Sequence, residues 1–175
     1  MATLDTLSCI EPVKTEEQCK ICLDVIRKSF STVAAEFHIT VENCPTYTAF
    51  LPFEKLKQKW DNGSVFFLYR LGNIYIGCFA LTPDGSSDVI ELEHLAVLPA
   101  YRHQNVGGNM LHFAAQYASR QYQASKIKIG ILYENTVLEK WYASHGFVLT
   151  ATKSYPYLPF SVGLMEKELK RNGDN

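Results

Sequence analysis

The chain has 175 residues, 47% of them hydrophobic and 13% aromatic, which is enough for one globular domain with a sizeable core. Its 17 basic and 18 acidic side chains leave a formal charge of -1, which excludes a general electrostatic attraction to nucleic acid or to an anionic membrane. The first residues, Met1 to Lys14, lack a basic stretch followed by an apolar core, and no apolar run nears the ~20 residues that span a bilayer, so a soluble, cytosolic protein is expected.

Residues Thr6 to Pro12 read as a first strand. Thr15, with Gln18 three positions later, makes a capping box for a helix on which Cys22, Val25, Ile26, Phe30 and Val33 recur at helical spacing. The five cysteines, an odd number, fit reduced thiols better than a disulfide framework. Cys19 and Cys22 have the spacing of a redox or metal pair, but they lie inside the helical pattern with no second pair, and a structural role is expected. The stretch from Phe37 carries Pro45 and Pro52 and reads as an aromatic-rich loop leading to a short helix from about Phe53 to Trp60. Asp61, Asn62 and Gly63 end that helix, and two β-rich runs around Leu71-Gly72-Asn73 form a hairpin. A second turn spans Pro83 to Ser87. The strand VIELEHLAV follows, then a helix with Val106, Met110, Phe113, Ala114 and Tyr117 on one stripe, widened by Leu111, Ala115 and Ala118. A strand KIKIGIL, a helix from about Thr136 to Ser144 and strands near Phe147 to Ser154 and Val162 to Leu169 complete the order. No repeat, low-complexity tract or linker interrupts it. The reading is α/β: one domain over residues 1–175 with a mixed sheet and flanking helices.

From Leu95 to Leu111 a strand empties into a polar, glycine-bearing turn that opens directly into a helix. The first N–H groups of a helix have no intrahelical partner and the helix dipole adds partial positive charge, so a pyrophosphate is a natural guest there. Gly107 and Gly108 allow close approach of a ligand, and Arg102 and His103 stand at the entrance. Neither a GxxxxGK loop followed by Ser or Thr nor a GxGxxG fingerprint is present, so the two commonest phosphate loops are not indicated.

The segment resembles motif A of the GNAT superfamily of acetyl-CoA-dependent N-acetyltransferases, whose turn reads Q/R-x-x-G-x-G/A after a strand ending in LAV and a proline. Here Arg102-His103-Gln104-Asn105-Val106-Gly107 occupies the turn, with Asn105 where the first glycine is usual. Asparagine is the non-glycine residue that best tolerates a left-handed backbone. A second stretch, ENTVLEKWYASHGFV, is similar to the family signature N-x-x-A-x-x-x-Y followed by GF. Asn135, Leu138, Tyr142 and Gly146-Phe147 match it, with Leu138 replacing the small residue. The resemblance covers nearly the whole chain and implies the GNAT fold, a mixed, mostly antiparallel sheet with splayed central strands.

The same resemblance implies the parts of an acetyl transfer. Tyr142 would protonate the departing thiolate, since a phenol with a reference pKa of about 10 is neutral at physiological pH; the alternative for this residue is core packing. The backbone of Leu95, Ala96 and Val97 would hold the pantetheine arm, and Arg102, His103, Gln104, Asn105, Val106, Gly107 and Gly108 the pyrophosphate. Asn135 would brace the splay or touch the cofactor. On VIELEHLAV alternation places Glu91, Glu93, Leu95 and Val97 on one face and His94 on the other. Histone-acetylating members carry a base glutamate at the position of Glu91, and arylalkylamine members carry histidines at the positions of Glu91 and Glu93. Either glutamate could take the proton of an ammonium, and two close carboxylates would raise one pKa; binding the substrate cation or ending a strand are the plainer roles. No metal is expected, because His94 and Glu93 face opposite ways and no third ligand lies nearby.

Tyr155, Tyr157 and Phe160, with Pro156 and Pro159, link the last two strands, where the family commonly borders its acceptor channel. The expected partners are therefore acetyl-CoA and an amine acceptor, a small-molecule amine first and a peptide or protein amino group second. The aromatic link could instead cover the sheet or form a homodimer contact. A CoA-binding sensor or interaction module without turnover is the reading from a different class.

Overall fold

A computed structural model describes residues 8–86 and 88–170. Thr6 and Leu7 of the expected first strand, and Ser87 of the second turn, lie outside the described residues. The elements are β1 (Ser8–Pro12), α1 (Glu16–Glu36), α2 (Phe53–Asp61), β2 (Val65–Leu71), β3 (Ile74–Pro83), β4 (Val89–Val97), α3 (Val106–Tyr122), β5 (Lys126–Leu132), α4 (Thr136–Ser144), β6 (Val148–Ser154) and β7 (Ser161–Glu168). Seven strands pair in the order β1-β2-β3-β4-β5-β7-β6. β4 and β5 are parallel, with the crossover that parallel strands need supplied by α3; β1 with β2, β5 with β7 and β6 with β7 are antiparallel. The parallel ladder is short, covering Val89–Glu91 and Lys126–Lys128. The expected mixed α/β sheet with flanking helices is therefore present.

The chain divides into two compact units. One takes in the residues up to Ala80 together with His94–Met110, the other Leu81–Glu93 and the residues from Leu111 onward.

In the first unit α1 starts where the sequence provides a stop for its free N–H groups. Thr15 accepts from the Gln18 backbone while the Gln18 side chain accepts from the Thr15 backbone, and Glu16 and Glu17 complement the helix dipole. The expected apolar stripe is buried through Cys22, Val25 and Ile26, joined by Cys19 and Leu23, against Phe66 and Leu68 of β2 and Cys78 and Ala80 of β3. Phe67 and Tyr69 point from β2 to the opposite face, where Phe67 stacks on Phe79 at 5.0 Å. Both faces of β2 are covered, which explains its nearly unbroken apolar run.

Gly77 of β3 is fixed by packing. A Cβ there would lie 3.0 Å from the Ala96 carbonyl oxygen and 3.1 Å from the sulfur and methyl of Met110. The missing side chain lets the end of β4 and the first turns of α3 settle against β3.

His94 departs from regular strand geometry. Its φ of 53° lies in the left-handed region, in the middle of β4. A residue of this kind breaks the two-residue alternation. Ala96 enters the core cluster and the His94 ring stacks on Phe66 at 6.3 Å, while Glu91, Glu93, Leu95 and Val97 are all half-buried.

In the second unit Ile90, Leu92, Ile127, Ile129, Ile131 and Met165 are buried on one sheet face. The alternate positions carry charge: Lys126 pairs with Glu166 at 2.8 Å and Lys128 with Asp84 at 2.9 Å. On α3 the buried stripe runs through Leu111, Ala114 and Ala118, while Phe113 and Tyr117 are half-buried and stack on each other.

Replacing Gly77 with Ala should destabilise the protein by about 1–3 kcal/mol, the cost of overpacking against a backbone atom. Gly130→Ala, whose Cβ meets only Val162 at 3.6 Å, should cost far less. Urea denaturation of both variants checks the contrast. Burial raises the Cys19 thiol from its ordinary 9.0 to about 11 and the Tyr47 phenol from 10.0 to about 12. Both groups bind their protons more tightly when folded, so their stabilisation is complete below pH 9 and is lost as pH rises through 11 to 12. The urea midpoint should fall between pH 8 and pH 10.5.

Candidate active site

In the first unit β4 ends at Val97, and the Leu98 N–H bonds the Ile76 carbonyl at 2.8 Å. Pro99–Tyr101 form a single 3-10 turn, after which His103 (φ 62°) and Asn105 (φ 61°) both adopt left-handed backbone. The Asn105 carbonyl accepts the first intrahelical bond of α3, from the Asn109 N–H at 3.0 Å. The N–H groups of Val106, Gly107 and Gly108 precede that bond, and left-handed residues alternating with ordinary ones shape a concave row of N–H groups suited to an anion. No aspartate or glutamate occurs from Leu95 to Tyr133, so no side-chain charge of this stretch opposes a pyrophosphate. The residues present therefore fit one.

The start of α3 is held firmly. Val106 and Met110 are buried, and the Asn109 amide donates to the Tyr69 hydroxyl at 3.3 Å while its oxygen receives the Asn105 amide at 3.2 Å. Gln104 donates to the Ala100 carbonyl at 3.2 Å.

Arg102 is engaged elsewhere than its sequence position suggests. Its guanidinium donates to the Ser29 carbonyl at 2.8 Å, the Thr32 hydroxyl at 2.9 Å and the Val97 carbonyl at 3.3 Å. It ties α1 to the end of β4, and desolvation pulls its pKa below the ordinary arginine value. The side chain is thus a brace inside the first unit, with its backbone N–H bonded to Pro99 at 3.3 Å.

The other candidates belong to the second unit. Tyr142 lies on α4, buried, with Trp141 and Phe147 rings edge-on at 4.9 and 5.4 Å. Desolvation pushes its phenol above the ordinary tyrosine value, so it holds its proton across the physiological range. Asn135 caps α4: its side-chain oxygen accepts the Leu138 N–H at 3.1 Å. Helix α4 is therefore started by the first residue of the second motif. Glu134, just before it, receives the Ser161 N–H and fixes the start of β7. Tyr155 and Tyr157 meet at 5.5 Å in the link between β6 and β7, with Tyr157 69% exposed.

Glu91 and Glu93 are both half-buried on β4. Glu91 pairs in register with Lys128, whose pKa is raised first by its bond to Asp84 and also by the charge of Glu91. Asp84 in turn is lowered to about 2, chiefly by the Ser86 hydroxyl and then by Lys128. The two glutamates are thus not an isolated like-charge pair. Glu93 Oε2 receives the Thr82 hydroxyl at 2.7 Å. Thr82 escaped the sequence reading because no motif marks a threonine at the end of a hairpin strand. Cys19 and Cys22 are fully buried thiols, both raised in pKa, the first chiefly by desolvation and the second first by its contact with Cys78. Among the described residues no helix is long and apolar enough to cross a membrane, and no group of three or more metal-ligating side chains is found.

No curated protein matches the sequence significantly. Solved structures do match its fold. The ribosomal-protein-S18-alanine N-acetyltransferase of Escherichia coli superposes with a TM-score of 0.74 at 12% identity, covering 96% of this chain and 97% of its own. A GNAT family acetyltransferase from Elizabethkingia anophelis with acetyl-CoA bound gives 0.65 at 17% identity, covering 93% and 99%. The spermidine N-acetyltransferase of Vibrio cholerae, in complex with CoA and spermine, gives 0.70 at 13% identity, covering 93% and 96%. At such identities the likeness is one of fold. Residues 33–147 match the sequence model of the Acetyltransferase (GNAT) family. The first signature stretch and the second from Asn135 to Phe147 fall within that match, and the chain belongs to the GNAT acetyltransferase family.

Proposed function

We propose that the protein transfers the acetyl group of acetyl-CoA to a primary amine by direct attack, with a small-molecule amine as acceptor. The observation that carries this reading is the left-handed turn through His103 and Asn105 that presents the first N–H groups of α3. These groups would bind the pyrophosphate, and the backbone of Leu95, Ala96 and Val97 the pantetheine arm. Acetyl-CoA supplies the acyl group when bound, and the chain's own residues move the protons. Glu93 or Glu91 takes a proton from the acceptor ammonium, whose electron pair stays on nitrogen for attack on the carbonyl. Once the nitrogen is bonded to the acyl carbon it loses its second proton to solvent; as the carbon–sulfur bond breaks, the electron pair leaves with sulfur and Tyr142 donates its proton to the thiolate, regaining one from solvent. The desolvated, neutral phenol of Tyr142 supports that role. The aromatic pair Tyr155 and Tyr157 supports an acceptor with an apolar portion.

Thiol release from acetyl-CoA, followed against polyamines, arylalkylamines, aminoglycosides and N-terminal peptides, tests the reading. At least one small amine should yield thiol, and Tyr142→Phe should lower kcat by about 10²-fold or more while CoA still binds. Thiol release with peptides alone would move the acceptor to protein. CoA binding without turnover on any amine would leave a sensor, and no CoA binding would remove the cofactor assignment.

A second outcome separates scaffold from ligand contact at Arg102. Lysine cannot reproduce its three-way fork, so Arg102→Lys should lower the denaturation midpoint. The salt dependence of CoA affinity should stay as in the parent, because the pyrophosphate contacts come from peptide N–H groups. Calorimetric titration at two salt concentrations reads this.

A further inference from the structure

The two acidic residues of β4 sit in different company within the second unit. Glu91 stands in register with Lys128, whose ammonium is bonded to Asp84 at 2.9 Å, so its neighbourhood is an ion cluster. Glu93 receives a directed contact from the hairpin strand, the Thr82 hydroxyl on its Oε2 at 2.7 Å. We propose that Thr82 is a positioning residue that fixes Glu93, rather than Glu91, as the group that takes the proton from the acceptor ammonium. The inference rests on the acetyl-transfer reading above.

The physical argument has three parts. Thr82 is β-branched and lies on a strand, so its χ1 is restricted and its hydroxyl is aimed rather than wandering. A hydroxyl donating to a carboxylate makes a charge-assisted bond, which favours the ionised form that a base requires and fixes the carboxylate plane. An ionised carboxylate has about four acceptor positions, so a bond from Thr82 to one oxygen leaves it the capacity to accept a further proton. In the step itself an N–H bond of the ammonium breaks, its electron pair remains on nitrogen, and the proton forms an O–H bond on Glu93. A base must be held within hydrogen-bond reach of the proton it removes, and small losses of alignment cost rate.

The test uses the whole protein and an amine that the thiol-release assay has identified; thiol release by the parent is the separate test of the underlying reading. Thr82→Val keeps the shape and removes the donor, and Thr82→Ser keeps the donor. Thr82→Val should lower kcat by about tenfold, the size expected for losing one hydrogen bond to a charged group, with KM for the amine within about twofold. Thr82→Ser should recover most of that loss. Glu93→Gln should cost about 10²-fold or more in kcat, a larger loss than Glu91→Gln. In a Glu93→Gln background Thr82→Val should add little, because the two act as one unit. Thermal midpoints and CoA affinity of each variant guard against a folding effect. Full activity in Thr82→Val, failure of serine to rescue, multiplicative losses in the double variant, or a larger loss in Glu91→Gln than in Glu93→Gln would each overturn the proposal.

Discussion

The first unit depends on the absence of a side chain at Gly77. With the Ala96 carbonyl oxygen 3.0 Å from where a Cβ would be, the end of β4 lies closer to β3 than any other residue allows. Met110 of α3 fills the same notch from the side. Asn109, its neighbour, bonds Tyr69 of β2, so the first turn of α3 is located by one packing contact and one hydrogen bond on a single sheet face. From the other face Arg102 reaches Ser29 and Thr32 of α1. The turn between β4 and α3 is therefore clamped at both ends before any ligand arrives, which is the preorganisation that electrostatic stabilisation requires.

The second unit places Tyr142 and the β4 carboxylates in different surroundings. Tyr142 sits among Trp141 and Phe147, where water is excluded and ionisation is disfavoured. Glu91 and Glu93 sit on a strand face with Lys128, Asp84 and Thr82, where charge is compensated and hydrogen-bonded. The phenol is thereby kept neutral, while the carboxylates stand among polar and charged partners.

Local signals carried most of the element order. The Thr15 and Gln18 box, the Asn135 cap, the glycine turn of the β2–β3 hairpin and the helical stripes are written in residues a few positions apart, and they stand where expected. The left-handed conformation at Asn105 was legible for the same reason: asparagine is the non-glycine residue that best tolerates that backbone in a turn. Three features were not legible. The guanidinium of Arg102 finds Ser29 across 73 positions of sequence, and nothing near Arg102 announces that partner. His94 is left-handed inside β4, and no neighbouring residue in the sequence marks that position. Thr82 bonds Glu93, eleven residues away across a turn, and nothing beside it announces that partner.

The engagement of Arg102 as a brace has a consequence for how such a protein drifts over evolutionary time. If the anion is gripped by peptide dipoles, then the information in the turn is a set of dihedral angles, and the side-chain alphabet at its surface is free to change wherever those angles survive. Asn105 holds a left-handed position where the family motif has glycine, and His103 holds another two residues before it. Identity of 12% to a structure of the same fold shows how far the side chains can change while the architecture stays.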